Sequence, residues 1–289
     1  MNWNAPEIRA LAHSALLEDQ AREDATTRLL IGSSWQMEAI FVAKQKGVIA
    51  GLPLAAKLLK ALDPSIRFKA LVREGGAVKP GQRLALIKGR ARSILSGERS
   101  ALNALQHLSG IATFAREQIR RLKGTGVELY DTRKTLPGWR RLQKYAVACG
   151  GALNHRMSLG DAVMIKENHL KAARMAGSDW LSAAQTAIQG RSIPVQMEVQ
   201  TEKDLKDALR LRPQRVLLDN LPAASVKRMS SRLREAVPGI EIELTGGIRP
   251  ENLRSLAKLR PNRISMGRLT HSVAAFDCSL EIDRVIHAR

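Results

Sequence analysis

The chain has 289 residues, of which 44% are hydrophobic, so it can bury a sizeable core as one large domain or two unequal ones, and gross disorder is excluded. Lys and Arg number 47 against 27 Asp and Glu, a formal charge of +20 that draws polyanions such as nucleic acid, acidic membrane or small phosphorylated substrates without choosing among them. No apolar stretch approaches the ~20 residues of a membrane span, and aromatics at 3% are too sparse to favour base stacking on single strands.

The first stretch, "MNWNAPEIRALAHSALLEDQARED", is polar and acidic rather than signal-like, and "APEIRALAHSALLEDQ" within it has helical spacing. "MEAIFVAKQKGVIAG" reads as a strand pair around a glycine turn. "GGAVKPGQRLALIKGRARSIL" reads as short strands broken by Gly and Pro. "SGERSALNALQHLSGIATFAREQIRRL" is a long helix with Ser96 as its N-cap and apolar residues at Leu102, Leu105, Leu108, Ile111 and Ala112. Cys149 and Cys278 have no metal-ligand spacing and read as buried free thiols, in keeping with a reducing, cytoplasmic location.

From about residue 125 the texture changes. The apolar runs "VELY", "AVMI", "VQMEV", "RVLL", "IEIEL" and "RISM" recur, with helical patterns such as "TEKDLKDALRL" and "PENLRSLAKL" between them. This alternation implies an α/β fold with a parallel sheet, either doubly wound or closed as a barrel. Each run ends in distinctive chemistry: Asp131 to Lys134, Lys166 to His169, Glu198 to Gln200, Asp219-Asn220, Thr245-Gly246-Gly247 and Gly267-Arg268. In a β/α barrel such strand ends converge on one mouth. Polar residues follow most strands, so any one of these has a bland explanation; the succession of cations, then acids, then glycines does not.

Arg133, Lys134, Arg156 and Lys166 supply four cations near strand ends, with Arg99 on the long helix. Guanidinium forks and ammonium groups suit a small substrate with more than one carboxylate. Glu198 and Asp219 suggest a magnesium site or stabilisation of developing positive charge, or else neutralise the neighbouring cations. The turns "ELTGGIRPENL" and "SMGRLTHS" have the glycines of a phosphate cradle. His155 and His169 could titrate or orient carboxylates but lack metal spacing, and no Walker A or GxGxxG pattern is present.

The block "DTRKTLPGWRRLQKYAVACGGALNHRMSLGDAVMIKENHL", residues 131–170, closely resembles the nicotinate-nucleotide pyrophosphorylase (carboxylating), or quinolinate phosphoribosyltransferase, family. The resemblance extends to "LLEDQAREDATTRLL", "GERSALNALQHLSGIAT", "LLDN", "TGGIRPENL" and "GRLTHSVAAFDCSLEI". It implies an N-terminal α/β sandwich over 1–113, joined by a helical segment 270–289, and an incomplete α/β barrel over 114–269, the type II phosphoribosyltransferase architecture. It implies transfer of the phosphoribosyl group of phosphoribosyl pyrophosphate to the ring nitrogen of quinolinate, with loss of CO2, in NAD biosynthesis. It also implies Mg²⁺ as cofactor and a homodimer with shared active sites, with no nucleic-acid or membrane partner.

Carried over by motif, quinolinate would be held by Arg133, Lys134, His155, Arg156 and Lys166, and by Arg99 from the partner subunit. Glu198 and Asp219 would lie by the ribose and the metal, with Lys134, Lys166, Glu198 and Asp219 as the catalytic set. Thr245, Gly246, Gly247, Gly267 and His271 would hold the 5′-phosphate. The chain departs from the family pattern at Gln196, where an acid is common, at Thr245 in place of serine, and at Arg268, which reads as solvent-facing. A related molybdenum-transport-associated family shares the resemblance, but the intact "NHR" and "IKENH" favour the quinolinate enzymes. A basic nucleic-acid-binding protein is the alternative of a different class; it requires cations clustered on a surface face.

Overall fold

The structure, a computed structural model, describes residues 1–188 and 193–286. In chain order the first elements are α1 (Pro6–Glu18), α2 (Ala25–Leu30), β1 (Gln36–Ala43), β2 (Gly47–Val48), α3 (Leu52–Leu62), β3 (Arg67–Ala70), β4 (Ala77–Val78), β5 (Arg83–Arg90) and α4 (Ala91–Leu122). Then come β6 (Glu128–Tyr130), α5 (Arg140–Gly150), β7 (Val163–Ile165), α6 (Glu167–Met175), α7 (Trp180–Ile188), β8 (Val195–Val199) and α8 (Glu202–Leu211). The last are β9 (Arg215–Asp219), α9 (Ala223–Ala236), β10 (Glu241–Thr245), α10 (Pro250–Ala257), β11 (Arg263–Ser265), α11 (Arg268–His271) and β12 (Cys278–Ile286).

The chain divides into two compact units: Met1–Glu117 with Leu136–Gly151 and the chain from Ser272, and Gln118–Thr135 with Ala152–His271. In the first unit an antiparallel sheet has the order β12-β1-β5-β3, with β2 and β4 paired separately. Its core is built from Met37, Ala39, Phe41, Leu84, Ile87, Leu54, Leu58 and Leu59, all buried. The long helix α4 contributes a continuous buried stripe of Leu102, Leu105, Leu108, Ile111, Ala112 and Ala115.

Three sequence expectations are corrected here. "MEAIFVAKQKGVIAG" is not a strand pair: β1 has both edges taken by β5 and β12, and Gly47 and Val48 pair with Val78 and Ala77 of β4. Ser96 is not the N-cap of α4, because the helix begins at Ala91, directly after β5. Ala91 and Ile94 are buried and extend the apolar stripe upstream, while Ser96 Oγ donates to Asp24 Oδ2 at 3.0 Å. The segment 270–289 is not helical beyond His271 within the described residues. After the single turn α11 it forms β12, antiparallel to β1 with Cys278 opposite Ala43, which satisfies an edge of β1 that would otherwise be open. Residues 287–289 of that expectation lie outside the described residues.

The second unit is a six-stranded parallel sheet of order β6-β11-β10-β9-β8-β7. The two ends of that order, β6 and β7, are successive strands of this unit, the arrangement of an α/β barrel left open, in agreement with the expected fold. Period-two alternation splits every strand. Met197, Val216, Leu218, Ile242, Leu244 and Ile264 are buried on one side, under the helices. The other side carries Gln196 and Glu198 of β8, Arg215, Leu217 and Asp219 of β9, Glu241, Glu243 and Thr245 of β10, and Arg263 and Ser265 of β11. Because the ladders are parallel, the C-terminal ends of all six strands lie along one rim.

Candidate active site

That rim encloses a cavity of about 390 Å³. Of the sequence-derived site residues, Arg133, Lys134, His155, Arg156, Lys166, Glu198, Asp219 and Thr245 line it. His155 and Arg156 follow the isolated parallel bridge of Leu153 to Tyr130, and the others come from at or just past the end of a strand, so the sheet register brings together residues more than a hundred positions apart. Glu198 is in register one residue before the Val199–Leu218 pair, and Asp219 stands opposite Thr245.

The cations are crowded. Burial disfavours the charged form of Arg156 and lowers its pKa, and the neighbouring positive charge of Arg133 lowers it further. Arg156 Nη1 donates to Ala162 O at 3.1 Å and Nη2 lies 3.4 Å from Met164 Sδ, so among the described residues its one strong acceptor is a carbonyl. Arg133 Nε is buried without a hydrogen-bond partner among the described residues. A buried guanidinium nitrogen left unpaired costs free energy unless a ligand completes it. The cavity therefore presents a positive site that an anion would relax.

The acids are partly committed. Lys166 Nζ is ion-paired with Glu198 Oε1, bridging the ends of β7 and β8. Lys166 also caps α6, its backbone N–H donating to His169 Nδ1 at 3.1 Å; His169 is a capping residue and does not line the cavity. Asp219 Oδ2 accepts from Gln200 Nε2 at 2.8 Å.

The glycine turns lie beside this cavity. Gly246 has φ +78°, and a Cβ there would stand 2.6 Å from both Asn220 N and Asp219 Oδ1. The backbone of that turn is thus pressed against the acid-bearing end of β9, which only glycine permits. A Cβ at Gly267 would meet His271 Nε2 and Lys134 Cδ at 3.1 Å, so Gly267, His271 and Lys134 are neighbours. Thr270 Oγ1 donates to Lys134 O at 2.7 Å and ties α11 to the loop after β6. Gly247 also has positive φ and leads through Ile248 and Arg249 into α10; α11, by contrast, is a single turn. Arg99 lies in the first unit, exposed on α4.

Comparison with known proteins bears on this geometry. The family model described as the N-terminal domain of quinolinate phosphoribosyl transferase matches residues 24–109, and that of its C-terminal domain matches residues 111–281. This chain belongs to the quinolinate phosphoribosyltransferase family. Curated relatives named probable nicotinate-nucleotide pyrophosphorylase [carboxylating] include one from Synechocystis, 38% identical over 93% of this chain and 90% of its own length. One from Bacillus subtilis is 36% identical over 96% of this chain and 94% of its own. The solved structure of the nicotinate-nucleotide pyrophosphorylase from Francisella tularensis superposes with a TM-score of 0.87 at 32% identity, covering 97% of this chain and 98% of that one.

Within a quinolinate phosphoribosyltransferase frame, the cavity also contains residues that strand-end reasoning passed over: Thr132, Met164, Leu217, Glu243 and Ser265. Met164, Leu217 and Glu243 sit in mid-strand, below the rim, while Ser265 ends β11 and Thr132 lies in the loop after β6. The signal for Glu243 was present in "IEIELT", where two acids and a threonine share the face that Leu217 and Glu198 share on the neighbouring strands. Of the departures from the family pattern, Gln196 is 4% exposed and its Oε1 has no hydrogen-bond partner among the described residues. It stands in register with Arg215, whose guanidinium instead grips Glu241 Oε2 at 2.6 Å. Arg268 is exposed, as expected.

Proposed function

We propose that this chain transfers the phosphoribosyl group of phosphoribosyl pyrophosphate to the ring nitrogen of quinolinate, releasing pyrophosphate and CO2 and leaving nicotinate mononucleotide. It is read as a nicotinate-nucleotide diphosphorylase (carboxylating), a pentosyltransferase, acting in the cytoplasm. The observation that carries the reading is the cavity's crowd of cations, with Arg133 Nε unpartnered among the described residues and Arg156 destabilised by burial and by Arg133. A pyridine dicarboxylate supplies the missing negative charge in a form that guanidinium forks hold at two points.

In this reading Arg133, Lys134, Arg156 and Lys166 orient the diacid so that its nitrogen faces C1 of the ribose, an effect of position rather than of bond making. The N–C1 bond forms as the C1–O bond to pyrophosphate breaks, and the sugar gains positive character that Glu198 and Asp219 can stabilise. Glu198 is held near the cavity by Lys166, and binding of a carboxylate at Lys166 frees it to face the sugar. The positive pyridinium nitrogen created by transfer then stabilises the electron pair left in the ring plane at C2 when the adjacent carboxylate departs as CO2, and that pair takes a proton. Thr245, Gly246, Gly247, Gly267 and His271 are read as the 5′-phosphate loops.

Glu198 and Asp219 offer hard oxygen donors from adjacent strands, and among the described residues no group of three His, Cys, Asp or Glu could hold an ion unaided. That donor set fits Mg²⁺, which takes one or two carboxylates and completes its shell with substrate phosphates and water. When bound, it neutralises the leaving pyrophosphate. The functional unit is read as a homodimer in which Arg99 reaches the partner's site. Among the described residues no helix is long and apolar enough to cross a membrane, and both cysteines are free. The deciding assay is nicotinate mononucleotide formation from phosphoribosyl pyrophosphate with quinolinate, and with nicotinate as control. Product is expected from quinolinate alone; turnover of nicotinate but not quinolinate overturns the reading.

A further inference from the structure

Beneath the cation crowd lies a carboxylate that none of the steps above uses. Glu243 is fully buried in the middle of β10 and lines the cavity floor. Ser265 Oγ donates to its Oε1, Arg215 Nε lies 3.8 Å from its Oε2, and His155 Nε2 lies 3.4 Å from its Oε1. Arg215 is in turn committed to Glu241, which also accepts from Arg263 Nη2 at 2.9 Å. The carboxylate is therefore held by one hydrogen bond, from Ser265, lies within ion-pair reach of Arg215, and faces one imidazole.

The other ring nitrogen of that imidazole is also engaged. His155 Nδ1 accepts from the backbone N–H of Arg156 at 2.9 Å, which leaves the ring proton of the neutral imidazole on Nε2, facing Glu243. The backbone N–H of His155 donates to the buried Asp131 Oδ1 at 2.8 Å, and Tyr130 packs edge-on with ring centroids 6.3 Å apart. With its side chain only 7% exposed, His155 has little surface to offer a ligand.

We propose that Glu243 is a positioning residue for the substrate clamp. Its carboxylate holds His155 in the Nε2–H tautomer, and His155, through Nδ1, holds the backbone of Arg156 so that the guanidinium reaches the cavity. His155 then acts as a strut within the quinolinate site rather than as a base. This rests on the proposed quinolinate reading for its kinetic consequence, though not for the tautomer.

Two measurements test it. The first is imidazole ¹⁵N NMR of the full-length, ligand-free protein, with the His155 signals identified by their loss in His155→Asn. A protonated Nε2 and a bare Nδ1 are expected; a protonated Nδ1 overturns the proposal. The second is steady-state kinetics of Glu243→Gln, whose neutral amide cannot give a charge-assisted grip. The quinolinate KM should rise about tenfold, the order of one contact to a charged group. The KM for phosphoribosyl pyrophosphate should stay within about twofold, since nothing on that side of the cavity is altered. Ser265→Ala, which removes only the donor to Glu243, should shift the quinolinate KM in the same direction by less, and covers the case in which Glu243→Gln does not fold. The double variant Glu243→Gln/His155→Asn should bind quinolinate no worse than His155→Asn alone. Additive losses, or a fall in kcat with both KM values unchanged, overturn the proposal. If the wild-type chain makes no nicotinate mononucleotide, the quinolinate reading fails by itself, and the NMR result still decides the strut.

Discussion

Arg133 and Arg156 show how a binding site is stored as unfavourable energy in a ligand-free protein. Two guanidinium groups share a cavity, one with a buried nitrogen unpartnered among the described residues and the other with its charged form disfavoured. Arg133→Leu should therefore raise the quinolinate KM by about 10- to 100-fold, the worth of one charge-assisted contact. It should leave the thermal midpoint of the free protein unchanged or higher, because it removes a buried donor that has no acceptor. A loss of stability alongside unchanged KM would place Arg133 among structural residues. Gly246 has the opposite character, since it is required for the fold of the site itself. Gly246→Ala forces a side chain into positive φ and against Asn220 N and Asp219 Oδ1 at 2.6 Å. The backbone conformation and the overlap together should cost about 2–5 kcal/mol in urea denaturation. Asp219 must shift as well, so activity should fall further than stability alone accounts for.

At the level of elements, legibility followed how local the governing physics is. The six strands of the parallel sheet were readable because each is a short apolar run bounded by polar turns, and the chemistry at their ends stood out against that background. The N-terminus of α4 is misplaced in the sequence reading because Ser96 looks like a cap, while the true start at Ala91 follows β5 directly. The strand β12 was missed because its pairing with β1 spans most of the chain, and a short stretch such as "CSLEIDRVI" fits either period. Glu243 is not legible in the sequence because it lies in mid-strand and its role depends on neighbours contributed by three other segments. A long-range contact of the same kind ends α3. Arg90 Nε at the end of β5 donates to Asp63 Oδ2 at 2.7 Å, and Ser65 N and Oγ donate to Oδ1. The Arg90 bond, and then those from Ser65, hold the Asp63 carboxyl well below its ordinary value of 3.8. A carboxyl depressed on folding contributes stability above its unfolded pKa and loses it as pH falls through the folded one. Asp63→Asn should thus lower the thermal midpoint at pH 5–7, with the gap to wild type closing below about pH 4. A gap that stays constant down to pH 2 would mean that the ionised form contributes nothing.

For the whole molecule, the +20 charge is far larger than one cavity needs, since the clamp and its neighbours account for only a few of the 47 Lys and Arg. The charge speeds the approach of two anionic substrates without selecting either. Selection belongs to the rim of the parallel sheet, and the question at this scale is whether one chain supplies the whole rim. Arg99 is the single sequence-derived site residue that lies in the first unit, exposed on α4. If it serves the partner's cavity, Arg99→Ala and Arg156→Ala should each be inactive as pure homodimers, because every site lacks one arginine. Mixed in equal amounts and allowed to exchange, the two variants form hybrids in which one site carries both lesions and the other carries neither. With half the dimers hybrid and half their sites intact, about a quarter of wild-type activity should return. Native mass spectrometry of the same sample establishes that hybrids are present. Hybrids without recovered activity would show that Arg99 acts within its own chain or does not touch the substrate, and activity in the pure Arg99→Ala dimer would remove it from the site altogether.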